Sequence, residues 1–205
     1  MTLAKSLKEM NEGLDLYIDF DNTIVNSSEI IVNMLNEEFG IKRDYKKLRK
    51  YDFTDLFPKC TYWEVEKYFN SDRLFTDIKL YNRAKEVMLW SLKKFDKTEI
   101  VTIGTEINLN KKRKWIDENI SNKIKFSGIL NDGRNVKSSI DMSNGILIDD
   151  HIDCLRSSNA KIKILLNNTN GEWNQVGVND EIYVTHDWYE IESILKFIIK
   201  NEGIF

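Results

Sequence analysis

Leu14-Asp15-Leu16-Tyr17-Ile18-Asp19-Phe20-Asp21-Asn22-Thr23 is the stretch from which the fold can be read. A short apolar run ends in two acids separated by one residue. Near-continuous apolar runs of this length read as strands buried in a parallel sheet. Side chains two apart on an extended chain point the same way, so Asp19 and Asp21 crowd each other where the strand ends. In open α/β sheets that end is where ligands bind. Two carboxylates so close repel unless a cation or a proton lies between them. Acidic pairs followed by Asn also cap ordinary turns, so the motif alone leaves both readings open.

Further β-rich runs follow: Glu99–Ile103, Ile124–Leu130, Gly145–Ile148, Ile162–Leu166 and Glu181–Val184. Helical patterns lie between them. Ser27 or Ser28 is placed to cap a helix carrying Ile30, Ile31, Met34, Leu35 and Phe39, closed by Gly40. Others are expected near Tyr81–Phe95, Asn108–Ile120 and after Asp187. Strands alternating with helices predict a three-layer, Rossmann-like α/β fold with a parallel sheet. One interval is too long for this rhythm. The surplus, about Ile24 to Asp77, predicts an inserted helical subdomain, giving a core of 1–23 and 78–205 around an insert of 24–77. The insert is rich in aromatics, including Tyr51, Phe53, Phe57, Tyr68 and Phe69. Most suit a small core of its own, and a few could stack on an aromatic or ribosyl substrate.

The 205 residues carry 41% hydrophobic and 31% charged side chains and a net charge of −3, which fits a globular chain and gives no global pull toward nucleic acid or anionic membrane. Cys60 and Cys154 belong to no zinc-binding spacing and are expected as free thiols. No apolar run reaches membrane-spanning or signal-peptide length, so a cytoplasmic protein is expected.

Three further features carry chemistry. Asp149-Asp150 follows the apolar run Ile146–Ile148, a second acidic pair at a strand end. Two such pairs can converge on one hard cation, and Mg²⁺ commonly takes one or two carboxylates plus a phosphate. Thr102, with Ile103-Gly104-Thr105 after it, offers a hydroxyl and backbone N–H groups near a helix start, which suits a phosphate oxygen. Lys137 stands twelve residues before Asp149.

Taken in order, Asp-x-Asp-x-Thr, Thr, Lys and Asp-Asp resemble the four motifs of the haloacid dehalogenase (HAD) superfamily of phosphatases. Asp19 and Asp21 match the first, Thr102 the second, Lys137 the third, and Asp149 with Asp150 the fourth; Lys111 and Lys125 are rivals for Lys137. The insert sits where that superfamily carries its helical C1 cap. Within it the chain looks most like the 5'(3')-deoxyribonucleotidases, through Ile146–Asp150 and the Trp-containing tail Val184–Ile191. It departs from them at Asn22-Thr23 and at Thr102–Thr105.

The resemblance implies a Mg²⁺-dependent phosphomonoesterase. Asp19 would be the nucleophile and Asp21 the acid and base. Thr102, Gly104 and Lys137 would bind the phosphoryl group. The metal would be held by Asp19, the Asp21 backbone carbonyl, Asp149 and Asp150. The implied partner is a small phosphorylated substrate, a nucleotide by the branch resemblance. No membrane and no stable nucleic-acid binding are expected, and a homodimer is open. The alternatives are another HAD substrate (a sugar phosphate or polynucleotide 3'-phosphate) and a non-catalytic phosphate binder. A receiver-type signalling domain would place its acidic pair first and its phosphorylated Asp later, an order this chain does not follow.

The basic run Lys111-Lys112-Arg113-Lys114 reads as a solvated helix face with Trp115 turned inward. His151 reads as a loop histidine, His186 as one without a partner, and Trp173 and Trp188 as packing residues.

Overall fold

The structure is a computed structural model and describes residues 13–131, 137–169 and 171–201. Six strands form one sheet: β1 (Asp15–Ile18), β2 (Lys97–Gly104), β3 (Lys125–Leu130), β4 (Gly145–Asp149), β5 (Ile162–Leu166) and β6 (Tyr183–Thr185). Their order is β3-β2-β1-β4-β5-β6 and every pairing is parallel. The chain winds outward from β1 to β3, then returns to place β4 on the other side of β1. The order therefore reverses at β1, the switch point where open α/β sheets leave a crevice.

Side-chain parity divides the core into two faces. Leu16, Ile18, Ile100, Ile146, Ile148, Ile164 and Leu166 pack on one, while Tyr17, Val101, Leu147 and Leu165 pack on the other. Period-two alternation produces that split. Helices are α1 (Ser27–Phe39), α2 (Tyr62–Phe69), α3 (Asp72–Asp77), α4 (Ala84–Ser91), α5 (Glu106–Asn119), α6 (Ile152–Ser157) and α7 (Trp188–Lys200). Trp115 and Ile116 of α5 and Trp188, Ile191 and Leu195 of α7 cover the first face; Ile152 and Leu155 of α6 cover the second. The core is a Rossmann-like α/β layer structure with helices packed on both faces of a parallel sheet.

All six expected strands form, but the fully buried reading fails at the edges. In β3 only Ile129 is buried, and in β6 Tyr183 and Val184 are exposed. An edge strand has one neighbour, so its apolar residues are covered less than those of β1 and β4. The expected helix at Tyr81–Phe95 forms only over Ala84–Ser91.

The segment between β1 and β2 carries α1, α2, α3 and α4, the first three of them within residues 24–77. Gly40 ends α1 in the left-handed conformation at φ 63°, where Ile41 N–H reaches back to Asn36 O at 3.0 Å. Thr61 and Glu64 close a capping box at the start of α2. Of the aromatics, Phe53, Phe57 and Tyr68 are buried; Tyr51 is half exposed.

Candidate active site

Four elements meet at the carboxyl end of β1. Asp19 N–H donates to Ile148 O at 2.9 Å, extending the β1–β4 ladder one step and setting Asp19 beside Asp149. The chain then turns through Asn22, whose φ of 52° lies in the left-handed region that Asn tolerates. Ile24 N–H returns to Phe20 O at 3.0 Å. The expected capping role of Ser27 or Ser28 is not observed: Asn26 is the N-cap of α1 and its side chain makes no cap bond. Ser27 Oγ instead donates to Asp21 Oδ1 at 2.5 Å, and Ser28 exchanges hydrogen bonds with the Asn22 amide. Ser27 gives its hydroxyl proton to a charged acceptor and Ser28 is held by the Asn22 amide, so the serines brace the acidic loop.

Lys137 lies on a 3₁₀ turn (Lys137–Ser139) and is 1% exposed. Its Nζ bridges Asp19 Oδ1 at 2.6 Å and Asp149 Oδ2 at 2.5 Å. Neighbouring Asn135 and Val136 fall outside the described residues. Burial works against the lysine's charge, but Asp149 and Asp19 outweigh it and hold its pKa above the ordinary value. Burial pushes the Asp19 pKa up to about 6; Lys137 opposes the rise, and Asp149 and Asp21 add to it. Burial likewise lifts Asp150 well above the usual range, with Asp149 and Asp19 adding to it.

Asp19, Asp149 and Asp150 each offer a carboxylate oxygen, and these atoms lie within 4.8 Å of one another. All three residues are buried, and of the two lysines buried among the described residues it is Lys137 that pairs with this group. Three buried carboxyls against one ammonium leave a deficit of positive charge, and oxygen-only donors suit a hard divalent cation such as Mg²⁺. The residues present thus fit the expected metal. Asp21's carboxylate lies outside this cluster.

Asp21 is instead ion-paired with Lys112 of α5. This corrects the reading of the Lys111–Lys114 run as a solvated face. Lys112 is 1% exposed, and its Nζ also donates to Thr102 Oγ1 at 2.9 Å and Ile103 O at 3.0 Å. A signal was present: Leu109, Lys112, Trp115 and Ile116 are spaced by three or four, so Lys112 shares the inward stripe of its helix. Thr102 is buried, with this lysine on its hydroxyl. At Gly104 a Cβ would meet Asn108 Oδ1 at 2.4 Å, and Thr105 Oγ1 caps α5 by accepting from Asn108 N–H.

Two tryptophans do more than pack. Trp173 Nε1 donates to Asp150 Oδ2 at 3.2 Å, and Trp188 Nε1 donates to Thr23 O at 2.8 Å. His151 caps α6 and meets the Tyr51 ring edge-on at 5.2 Å. His186 has a partner after all, Asn167 O at 2.9 Å. Both cysteines are free, Cys60 buried and Cys154 partly so.

A cavity of about 330 Å³ opens over Asp21, between Tyr51, Val65, Phe69 and Asn70 on one wall and Thr105 and His151 on the other. Its walls are tied together. Thr105 Oγ1 donates to Asn70 Oδ1, Asn108 Nδ2 to Phe69 O and Lys111 Nζ to Asn70 O, each at 2.6 Å. Burial of its hydroxyl end raises the Tyr51 pKa, and the nearby charges of Asp150, Asp21 and Asp19 add to the rise. No helix among the described residues is long and apolar enough to cross a membrane.

No family model matches the chain, and no curated protein matches it. Solved structures do. A predicted phosphatase from Clostridium acetobutylicum aligns with a TM-score of 0.63 at 15% identity, over 90% of this chain and 99% of that one. The Bacillus subtilis protein YfnB, described as a HAD-hydrolase and bound to magnesium, aligns with a TM-score of 0.62 at 15% identity, over 90% and 99%. A HAD-superfamily hydrolase from Ehrlichia chaffeensis gives 0.54 at 16%, over 92% and 98%. At these identities the shared property is the fold.

Proposed function

We propose that this protein is a Mg²⁺-dependent phosphomonoester hydrolase working through an aspartyl-phosphate on Asp19, and that its substrate is a nucleoside monophosphate. The observation that carries the reading is the buried group Asp19, Asp149, Asp150 and Lys137 at the sheet's switch point. The same fold carries hydrolases and phosphatases among the structures it resembles. Fold alone does not assign chemistry, so the weight rests on those four side chains.

Asp19 attacks phosphorus through a carboxylate oxygen, and the bond to the leaving oxygen breaks. Asp21 gives its proton to that oxygen. It then takes a proton from the water that hydrolyses the acyl-phosphate, which restores Asp19 and releases phosphate. Lys137 and the Thr102 hydroxyl hold phosphoryl oxygens where negative charge sits in transit. Asp19, Asp149 and Asp150 would hold Mg²⁺, which when bound neutralises charge between the anionic nucleophile and the anionic substrate. The cavity supports the nucleotide reading: its volume suits a nucleoside-sized leaving group, and Tyr51 and Phe69 offer aromatic surfaces.

The test is phosphate release with Mg²⁺ and with EDTA. The panel holds 5'- and 3'-deoxyribonucleotides, ribonucleotides, sugar phosphates and a 3'-phosphorylated oligonucleotide, with Asp19→Asn as control. Metal-dependent turnover of deoxynucleoside monophosphates, abolished in Asp19→Asn, is expected. Turnover confined to another class keeps the chemistry and removes the nucleotide. Activity that survives Asp19→Asn removes the aspartyl-phosphate.

A further inference from the structure

Lys112 takes no part in the steps above, yet it is among the most deeply buried large side chains of the protein. Burying an ammonium is costly unless its protons are matched. Here all three are: one on Asp21, one on Thr102 Oγ1 at 2.9 Å and one on Ile103 O at 3.0 Å. The group thus joins the residue proposed to move the proton with the residue proposed to hold the phosphoryl group.

We propose that Lys112 is a positioning residue for leaving-group protonation, a role that rests on the phosphatase reading. Its contact with Asp21 Oδ2, opposite the Ser27 contact on Oδ1, fixes the plane of that carboxyl. A proton donor must be aimed within hydrogen-bond reach of the leaving oxygen, and a rotating carboxyl is not. The contact with Thr102 has a second effect. A hydroxyl has one proton and two acceptor lone pairs. With Lys112 donating to Oγ1, the Thr102 proton is left to be given to another oxygen, and the phosphoryl site is where that is useful.

α5 supplies this lysine from an anchored helix. Thr105, Asn108 and Lys111, on its first turns, hold the end of α2 at Phe69 and Asn70. Lys112 faces the sheet on the next position. The helix that touches the wall of the cavity therefore also orients the acid.

The test compares two esters of nearly equal size, 4-nitrophenyl phosphate and 4-nitrobenzyl phosphate. The first leaves as a stabilised phenolate and needs little protonation; the second leaves as an alkoxide and needs it. Wild type, Lys112→Met and Lys112→Gln are assayed with Mg²⁺. The expected result is a drop in kcat of roughly 100-fold for the benzyl ester and less than about 5-fold for the phenyl ester in Lys112→Met, with KM little changed and Lys112→Gln between. Equal losses on both esters, or a loss confined to KM, would overturn the positioning role. Failure of both variants to melt cooperatively would assign Lys112 to core stability and overturn it as well. A wild-type protein that releases phosphate from neither ester nor from any member of the nucleotide and sugar-phosphate panel refutes the phosphatase reading itself, an outcome visible before any variant is made.

Discussion

Two halves of the site are built differently. On the β1–β4 side, Lys137 comes from a short 3₁₀ turn and bridges Asp19 and Asp149, with Asp150 and Trp173 behind them. On the β2–α5 side, Lys112 comes from the middle of a 14-residue helix and bridges Asp21 and Thr102. The first half gathers more acid than base, and its oxygen donors suit a hard cation. The second half is matched proton for proton. On the proposed reading, charge deficit marks the half that would hold the metal, and saturation marks the half that would orient the acid. The contrast matters because one strand end, Asp19-Phe20-Asp21, feeds both.

The largest expected effect breaks the first half. Lys137→Met removes the ammonium from between two carboxylates and from the phosphoryl group, and kcat should fall roughly 10³-fold on phenyl and benzyl esters alike. That uniform loss is the counterpart of the ester-dependent loss expected at Lys112, and steady-state kinetics on the two substrates separates them. If Lys137→Met were ester-selective, the division of labour drawn here would be wrong.

A smaller effect sharpens the charge argument. The folded-state pKa of Asp19 is raised from 3.8 to about 6, so the folded protein binds protons that the unfolded chain has lost. Stability without metal therefore falls as pH rises through that window, and the penalty is fully present above it. A bound divalent cation removes the penalty, because its ligands must be deprotonated. The rise in Tm on adding Mg²⁺ should grow from about pH 5 to about pH 7.5, read by thermal melts with Mg²⁺ or EDTA. A rise that is flat with pH would place the cation away from these carboxyls.

The smallest effect probes the support of the metal ligands. Trp173→Phe deletes the indole N–H that Asp150 accepts while keeping an aromatic ring. Mg²⁺ affinity should weaken about 10-fold with kcat at saturating metal nearly unchanged, measured by titrating activity with Mg²⁺. No change in affinity would show that Asp150 needs no such partner.

Much of the first half was legible because it is local. A strand ending in acids announces itself through composition, and Asp149-Asp150 repeats the signal of Asp19–Asp21. Lys137 was found by its distance to Asp149, a spacing rather than a contact. The second half was missed for the same reason reversed. Lys112 sits among other basic residues, and a charge run is ordinarily solvated. Its place on the inward stripe with Trp115 and Ile116 was readable, but its destination was not. Trp173 and Ser27 were invisible as site residues, since packing and helix capping explained each of them equally well.

The sequence by itself determined where the six strands and the helices α1, α5 and α7 lie, that the chain alternates between strand and helix, and that acids end two of the strands. These follow from period and composition, which act within a few residues. The tertiary structure alone decided that β4 returns to the side of β1 opposite β2, bringing Asp149 beside Asp19, and that α5 packs where Lys112 meets Asp21. Such meetings depend on strand order and helix placement over a hundred residues of chain. They are selected by burial of whole faces, a property that no short stretch carries.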